Sequence, residues 1–380
     1  MSETTGLKLT VLSNLIWKFA ERIGAQLVTF IVQTVLARIL MPEEYGIIAM
    51  VNVFITIANV FVVSGLSSSL IQKKNADELD FSSMFYFSIA FSLVIYGIVF
   101  FAAPYIGKFY NSTGLILVLR IMALQIIIAA IKNVQGAYVS RHMQFKKFFF
   151  STLGGTLFSG VIGIIMALKG AGVWALVVQY LSNSIIDTTI LFFTVKWRPK
   201  LMFSLSRVKT LYSYGWKLLG ASLLDTTYNQ LRALIIGKLY SSADLAYYNR
   251  GRNFPMLITN NINASIDSVL FPAMSSQQDE RAQLKGMVRR SIKTSSYILW
   301  PMLIGLAAVG DTLIRLLLTD KWVECVPFLQ IACVSYMFMP IHTANLQAIK
   351  ATGRSGLFFQ MEIIKKGIGI ILILISFRIS

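Results

Sequence analysis

Val35-Leu36-Ala37-Arg38-Ile39-Leu40, followed by Tyr45-Gly46-Ile47-Ile48, returns in pattern 200 residues later as Ile235-Ile236-Gly237-Lys238-Leu239-Tyr240 and Leu245-Ala246-Tyr247-Tyr248. Ser69-Leu70 falls over Val269-Leu270 in the same register. Identity is low, but the ends of the apolar runs, the basic residue and the connecting loop coincide without a gap. Chance alignment of two hydrophobic chains is the competing explanation, and a repeat accounts better for the shared register. Six crossings separate the copies and return the chain to its starting side, so the second copy runs parallel to the first about an axis along the membrane normal.

The composition places both copies in a bilayer. Hydrophobic residues are 56% of the 380-residue chain, charged residues 14%, and the mean hydropathy is +0.66. Soluble domains carry roughly 25% charged residues. Apolar stretches near the ~20 residues needed to cross a bilayer occur at 13–38, 46–71, 82–103, 115–139, 148–168, 173–195, 211–239, 247–274, 291–313, 324–349 and 357–377. The expected fold is therefore all-α: a polytopic membrane protein of about eleven transmembrane helices in two parallel pseudo-repeat lobes around a central cavity, with the second lobe incomplete at five helices.

Lys plus Arg number 35 against 17 Asp plus Glu, a formal balance of +18. The loops after the even-numbered spans hold Lys73, Lys74, Arg141, Lys146, Lys147, Lys196, Arg198, Lys200, Arg207, Lys209, Arg281, Lys285, Arg289, Arg290, Lys293, Lys350 and Arg354. The alternate loops hold Arg38, Lys108, Lys169, Lys238, Arg315 and Lys321, a split of 17 to 6. The positive-inside rule then puts the N-terminus of this multi-pass membrane protein in the cytoplasm. Much of the charge is topology, and no nucleic-acid partner is implied.

Three segments follow: a six-helix lobe at 1–196, a cytoplasmic amphipathic linker at 197–215, and a C-terminal lobe at 216–380 that reads as truncated. In the linker, Leu205, Val208, Leu211 and Tyr212 alternate with Arg207 and Lys209 at helical spacing, as in an interfacial helix. The basic segment 277–293 has similar character. For each, a solvated basic loop is an equal alternative.

Enzyme chemistry finds no support. His142 and His342 lack partners at metal-ligand spacing, no GxxxxGK[ST] loop is present, and Cys325 and Cys333, eight residues apart, suggest neither a disulfide nor a redox pair. No cofactor or metal is expected. Asp77-Glu78-Leu79-Asp80 lies beside Lys73 and Lys74 and reads as a solvated turn. Gly155, Gly160 and Gly163, with Ser151 and Ser159, have the small-residue spacing of helix packing.

Charges inside spans, by contrast, are costly at about 2.5–3.5 kcal/mol each at a helix centre and mark an interior or wet face. Span one carries Lys18, Glu21 and Arg22; span two carries Asn52, Thr56 and Asn59. Span seven carries Lys217, Asp225, Tyr228 and Arg232; span eight carries Arg250, Arg252, Asn253, Asn260, Asn263 and Asp267. Arg120 and Lys132 fall in span four, Asp187 in span six, and Lys365 and Lys366 in span eleven. Pairing within the bundle, such as Lys18 with Glu21 or Asp225 with Arg232, explains part of this. Cations outnumber anions, however, which points to a basic cavity for an anionic ligand.

The run Leu245-Ala246-Tyr247-Tyr248-Asn249-Arg250-Gly251-Arg252-Asn253-Phe254-Pro255 is followed by Val269-Leu270-Phe271-Pro272-Ala273-Met274-Ser275. Gln277-Gln278-Asp279, Arg289-Arg290-Ser291, Pro301 with Gly305, Lys321-Trp322 and Ala351-Thr352-Gly353-Arg354 come after it. With Leu36-Ala37-Arg38-Ile39-Leu40 and Glu44-Tyr45-Gly46, this order resembles the Wzx-type oligosaccharide flippases, in the colanic-acid and teichuronic-acid exporter branch of the multidrug/oligosaccharidyl-lipid/polysaccharide exporter superfamily. The resemblance covers essentially the whole chain. It implies two six-helix lobes facing a cavity, alternating access, and transfer of undecaprenyl-diphosphate-linked oligosaccharide between leaflets, often driven by a cation gradient. It also implies that lumen cations bind the diphosphate, with Arg22 and Arg250 or Arg252 in comparable places. Family members usually run further, with more spans.

On this reading the substrate-binding candidates are Lys18, Arg22, Asn52, Lys217, Arg232, Arg250, Arg252 and Asn260, and the ion-coupling candidates are Glu21, Asp225 and Asp267. The partners are the lipid-linked oligosaccharide, membrane lipids and a coupling cation. A multidrug-type antiporter is the alternative, though it should offer buried carboxylates. A membrane polysaccharide polymerase or ligase should show a long outer loop, and every such loop here is short.

Overall fold

The computed structural model describes the backbone of residues 2–275, 277, 280–352 and 355–379, with side chains described over most of 13–352 and more sparsely beyond. Asp267, one of the ion-coupling candidates, has a side chain outside the described residues. The described residues form helices and no strands. In chain order these are α1 (Ser2–Ile39), α2 (Pro42–Val63), α3 (Leu66–Gln72), α4 (Glu78–Phe109), α5 (Gly114–Met122), α6 (Leu124–Arg141), α7 (Lys146–Leu168) and α8 (Val173–Thr194). They continue with α9 (Leu205–Leu239), α10 (Ser242–Ser275), α11 (Arg281–Ala308), α12 (Gly310–Leu318), a 3-10 turn (Asp320–Cys325), α13 (Val326–Met337), α14 (Met339–Ala351) and α15 (Ser355–Ile379).

Among the described residues, seven stretches are long and apolar enough to cross a membrane: Ile16–Ile39, Pro42–Gln72, Glu78–Phe109, Gly114–Arg141, Lys146–Leu168, Val173–Thr194 and Asp320–Ala351. The pair Ala282–Ala308 and Gly310–Leu318, bent by 67° at its break, makes an eighth. Helices α9 and α10 have membrane-spanning length, but their charged and amide side chains keep them below that apolar threshold. Such helices need protein or water along their polar side.

Packing divides the chain into two units, Met1–Leu245 and Ala246–Ser380. In the first unit α2 is central, meeting α4, α5, α6, α8 and α9, while α7 lies between α1 and α8. The glycines of α7 permit this approach: Gly160 takes the side chain of Val32 on α1, and Gly155 and Gly163 face Asp187 and Gln179 on α8. This is small-residue helix packing.

The sequence repeat reappears as a repeated break. Helix α1 ends at Ile39 and α2 begins at Pro42; α9 ends at Leu239 and α10 begins at Ser242. At the first break the Glu44 carboxylate accepts the Met41 backbone N–H at 2.8 Å. At the second, the Asp244 carboxylate accepts the Ser241 N–H at 2.9 Å, and the Ser241 hydroxyl accepts the Asp244 N–H at 3.1 Å. An acid at the third helical position closes on an otherwise orphaned donor in both copies.

Close backbone contacts fasten α9 and the start of α10 within the first unit. A Cβ on Gly46 of α2 would collide with the Ser242 carbonyl, and one on Gly65 would collide with the Gly215 carbonyl. Gly65 also has φ +84°, a conformation that favours glycine. Between α8 and α9 the segment 195–204 crosses the end of the bundle without helix. Trp197, 7% exposed, fills a box with Phe81, Phe85 and Tyr138, its ring centroid 5.7 Å from that of Phe81. The hydroxyls of Ser82 and Ser83 accept the backbone N–H groups of Lys200 and Ser204 at 3.1 and 2.9 Å.

An ionic knot completes this attachment. The Asp80 side chain is fully buried, receives the Lys73 ammonium on both oxygens at 2.6 and 2.7 Å, and stands 3.6 Å from the Arg207 guanidinium. Arg207 also reaches Asp77 at 3.5 Å, and Lys200 pairs with Glu78. Arg141 donates to the carbonyls of Leu70, Lys73 and Lys74 at 3.0, 2.6 and 2.6 Å. The sequence reading of 77–80 as a solvated turn holds for the exposed Asp77 and Glu78 and is corrected at Asp80. Asp77 caps α4, and Asp80 serves as a dry counter-ion.

In the second unit α10 presses on the 3-10 turn and α13 through Gly251. A Cβ there would lie 2.5 Å from the Cys325 carbonyl oxygen and 2.8 Å from the Leu329 nitrogen. Trp322 is fully buried at this junction, edge-on to Tyr247 with ring centroids 6.0 Å apart. Helix α11 packs on α13 and α14, and α15 on α14.

Candidate functional site

In the first unit, Lys18 and Glu21 on α1 form an ion pair at 2.7 Å. The Lys18 ammonium also lies 5.2 Å above the Phe148 ring of α7, and Glu21 accepts a hydrogen bond from the Thr152 hydroxyl at 3.3 Å. These two candidates are thus part of the α1–α7 seam. Arg22, one residue on, points away from it and is exposed, and among the described residues it has no hydrogen-bond or ion-pair partner. Its neighbours Phe19 and Ile23 are also exposed.

Asn52 on α2 is half-buried. On α9, Lys217, Asp225 and Arg232 are all exposed. Asp225 accepts a hydrogen bond from the Asn229 amide at 3.1 Å. Lys217 and Arg232 have no hydrogen-bond or ion-pair partner among the described residues. Of the candidate residues in the first unit, three cations, Arg22, Lys217 and Arg232, have no such partner among the described residues.

In the second unit, the Arg252 guanidinium is half-buried and donates from Nε to the Tyr336 hydroxyl at 2.7 Å and from Nη1 to the Tyr248 hydroxyl at 3.5 Å. Both partners are neutral, and no carboxylate among the described residues pairs with it, so its charge stays uncompensated while its orientation is fixed. Tyr248 was legible as the residue one turn before Arg252 on the same face; Tyr336, 84 residues away on α13, was not. Arg250 differs. Its guanidinium lies 5.0 Å above the Trp322 ring and serves the α10 junction. Asn260 is exposed on α10.

One pair that the sequence placed in spans without assigning it a role is brought together by the fold. Lys132 on α6 forms an ion pair with Asp187 on α8, and the second carboxylate oxygen of Asp187 is buried with no hydrogen-bond partner. Gly155 of α7 leaves the room for that carboxylate. The signal was one cation and one anion deep in spans four and six, a pair that membrane burial makes costly to leave apart. Among the described residues, no group of three or more His, Cys, Asp or Glu side chains is arranged to hold a metal.

Several apolar helices of spanning length define a multi-pass membrane protein. The chain belongs to the polysaccharide biosynthesis protein family, whose pattern matches residues 35–327. It is 24% identical over 366 residues to the succinoglycan biosynthesis transport protein ExoT of Rhizobium meliloti (strain 1021), covering 96% of this chain and 74% of that protein. It is 25% identical to the lipopolysaccharide biosynthesis protein WzxC of Escherichia coli (strain K12), covering 87% of this chain and 68% of that protein. It is 24% identical to the teichuronic acid biosynthesis protein TuaB of Bacillus subtilis (strain 168), covering 80% of this chain and 64% of that protein.

Among solved structures, the fold is similar to that of the lipid II flippase MurJ in an inward closed conformation, with TM-score 0.69 and 14% identity over 89% of this chain and 76% of that one. It is also similar to an inward-facing multidrug resistance MATE family transporter of the MOP superfamily, with TM-score 0.61 and 13% identity over 90% of this chain and 86% of that one.

Proposed function

We propose that this protein is a flippase that carries lipid-linked oligosaccharide repeat units across the bacterial cytoplasmic membrane for polysaccharide export. It works by alternating access of two lobes, read from the sequence as 1–196 and 216–380 joined through 197–215, with α9 of the second copy moving with the first unit; the N-terminus is in the cytoplasm. The observation that carries the reading is the set of uncompensated cations on the helices: the exposed Arg22, Lys217 and Arg232 in the first unit, and the tyrosine-held Arg252 in the second. The names of ExoT, WzxC and TuaB, each tied to the making of a bacterial polysaccharide, support the same reading.

The cargo is an undecaprenyl-diphosphate-linked oligosaccharide. Its diphosphate must leave the headgroup layer to cross, and a guanidinium fork holds two phosphate oxygens where an ammonium acts as a point charge. Arg22, Arg232 and Arg252 each take phosphate oxygens, with Lys217 adding charge. Asn52 and Asn260 meet sugar hydroxyls, and the prenyl tail stays in lipid. Arg250, stacked on Trp322, and Lys18, paired with Glu21, hold the helices that present the others. Asp225, exposed on α9, is the coupling-cation candidate.

A MATE-like antiporter is the second reading, favoured by the fold similarity. The excess of cations over carboxylates on these faces suits an anionic cargo better.

Each charge-assisted hydrogen bond contributes about 1.5–3 kcal/mol, so loss of Arg22 or Arg252 should weaken cargo binding at least roughly tenfold. The test measures binding and transbilayer movement of a fluorescent lipid-diphosphate oligosaccharide in proteoliposomes. Arg22→Ala, Arg22→Lys and Arg252→Ala are compared at equal protein abundance. Binding and movement unchanged in both alanine variants would refute this assignment.

A further inference from the structure

Residues 196–205 do something the transport reading does not use. Beyond Trp197 the strap turns large apolar side chains outward: Leu201 is 97% exposed, Phe203 53% and Leu205 69%. Among the described residues, each of the other connections in the first unit exposes at most one large apolar side chain. The outward set is held there by construction. Ser82 and Ser83 fix the backbone at Lys200 and Ser204, and Trp197, Val208 and Leu211 are buried in the bundle on either side. A tight turn in which the Met202 N–H donates to the Lys200 carbonyl at 2.7 Å carries Leu201 at its apex, and Leu201 and Phe203 are both exposed.

The charges around this tripod are cationic. Lys196 and Lys209 are exposed and have no hydrogen-bond or ion-pair partner among the described residues. Lys147, at the start of α7, stands close enough to Lys196 for their like charges to interact. By contrast, the neighbouring carboxylates Asp77, Glu78 and Asp80 are engaged with Arg207, Lys200 and Lys73. The strap follows directly on the spanning helix Val173–Thr194, so it emerges where a bilayer changes from acyl chain to headgroup.

We propose that 196–209 is a seat for anionic phospholipid. Leu201, Phe203 and Leu205 enter the headgroup–acyl boundary, and Lys196, Lys209 and Lys147 hold the lipid phosphates. Apolar insertion combined with basic attraction is how segments lie stably in a membrane interface. The occupant is a lipid surface because the apolar side chains and the free cations lie together at the membrane end of α8. The seat fixes the depth of the strap and, through it, the start of α9.

The test uses the full chain in vesicles of phosphatidylcholine with and without phosphatidylglycerol. An environment-sensitive dye is attached at Leu201→Cys or, separately, Phe203→Cys. Leu201 is nearly fully exposed and the native Cys325 and Cys333 are buried, so folding and labelling specificity are preserved. The expected result is blue-shifted emission, shielding from iodide, and quenching several-fold stronger by shallow spin-labelled phosphatidylglycerol than by spin-labelled phosphatidylcholine. Each basic residue contributes roughly fivefold to anionic preference, so Lys196→Ala with Lys209→Ala should lower that ratio markedly, with Lys147 keeping a residual preference. Three results would overturn the proposal: iodide access equal to that of a water-exposed label, a ratio unchanged by the double substitution, or shielding seen only in native membranes and lost in pure lipid, which would mean that a protein covers the strap.

Discussion

Replacing Asp80 by an amide tests the knot that fastens α9. Asp80→Asn keeps the shape of the side chain but removes the negative charge that faces Lys73 from both oxygens at 2.6 and 2.7 Å, and weakens the hold on Arg207 at 3.6 Å. Breaking a fully buried ion pair costs about 3–5 kcal/mol. Here the carboxylate is dry, but the Lys73 and Arg207 side chains keep 24% and 41% of their surface exposed and can rehydrate. The expected loss is therefore lower, at about 2 kcal/mol. For a unit of this size that lowers the unfolding temperature by roughly 4–8 °C. The loss should be local as well as global: proteolysis at the 195–204 strap in detergent should accelerate, because the segment loses the Arg207 anchor at its C-terminal end. Lys73→Met with Asp80→Leu should recover much of the stability, since an apolar pair of similar size avoids stranding a charge. An unfolding temperature and a strap cleavage rate equal to those of the unaltered protein in Asp80→Asn would show that the knot contributes nothing.

Gly251→Val should destabilise the second unit by about 2–4 kcal/mol, because the new side chain meets the backbone of Cys325 and Leu329, which cannot rotate away; normal folded yield and thermal stability would contradict the close packing. Lys132→Met alone should sharply lower folded yield by stranding Asp187, while Lys132→Met with Asp187→Leu should restore it, as measured by monodisperse protein in size-exclusion chromatography. The Asp77 carboxyl is held below the usual carboxylate value first by the Asp80 backbone N–H, against the opposing effect of burial, and then by the Asp80 side chain and the Arg207 and Lys73 cations. Its capping contribution is accordingly complete above the unfolded value near ~3.9 and lost as pH falls through the lower folded value. Amide exchange at 78–81, corrected for its intrinsic pH dependence, should rise only in that acidic window, and Asp77→Ala should abolish the change.

Much of the architecture was legible because a bilayer makes unusually strict demands on sequence. The break at Leu40–Met41 and its echo at Tyr240–Ser241 could be read from the chain, since helix ends in such a protein need local caps and Glu44 and Asp244 supply them. The packing role of Gly155, Gly160 and Gly163 was equally readable from spacing. Polar helices were harder. Spans seven and eight emerge as α9 and α10, yet nothing local tells whether Lys217 or Arg252 will find a partner. That depends on Tyr336 arriving from 84 residues away, and on nothing described arriving at Lys217. The linker shows the same limit. The helical spacing of Leu205, Val208 and Leu211 was visible, but Val208 and Leu211 are each 3% exposed and bury against protein, whereas Leu201 and Phe203, in the non-helical run before them, are exposed. Periodicity identifies a face without naming what covers it.

The attachment of α9 also bears on how genes of this kind can be recombined. Gly65 meets α9 at Gly215 and Gly46 meets Ser242 just beyond the end of that helix, contacts that any larger residue would block. A crossover between homologous genes within 197–215 would pair an α9 from one parent with a docking surface from the other, and both glycine seams would have to match by luck. A crossover after Leu245 inherits both seams from a single parent. Viable hybrids should therefore cluster their junctions beyond Leu245, leaving the helix that opens the second sequence copy linked in inheritance to the first.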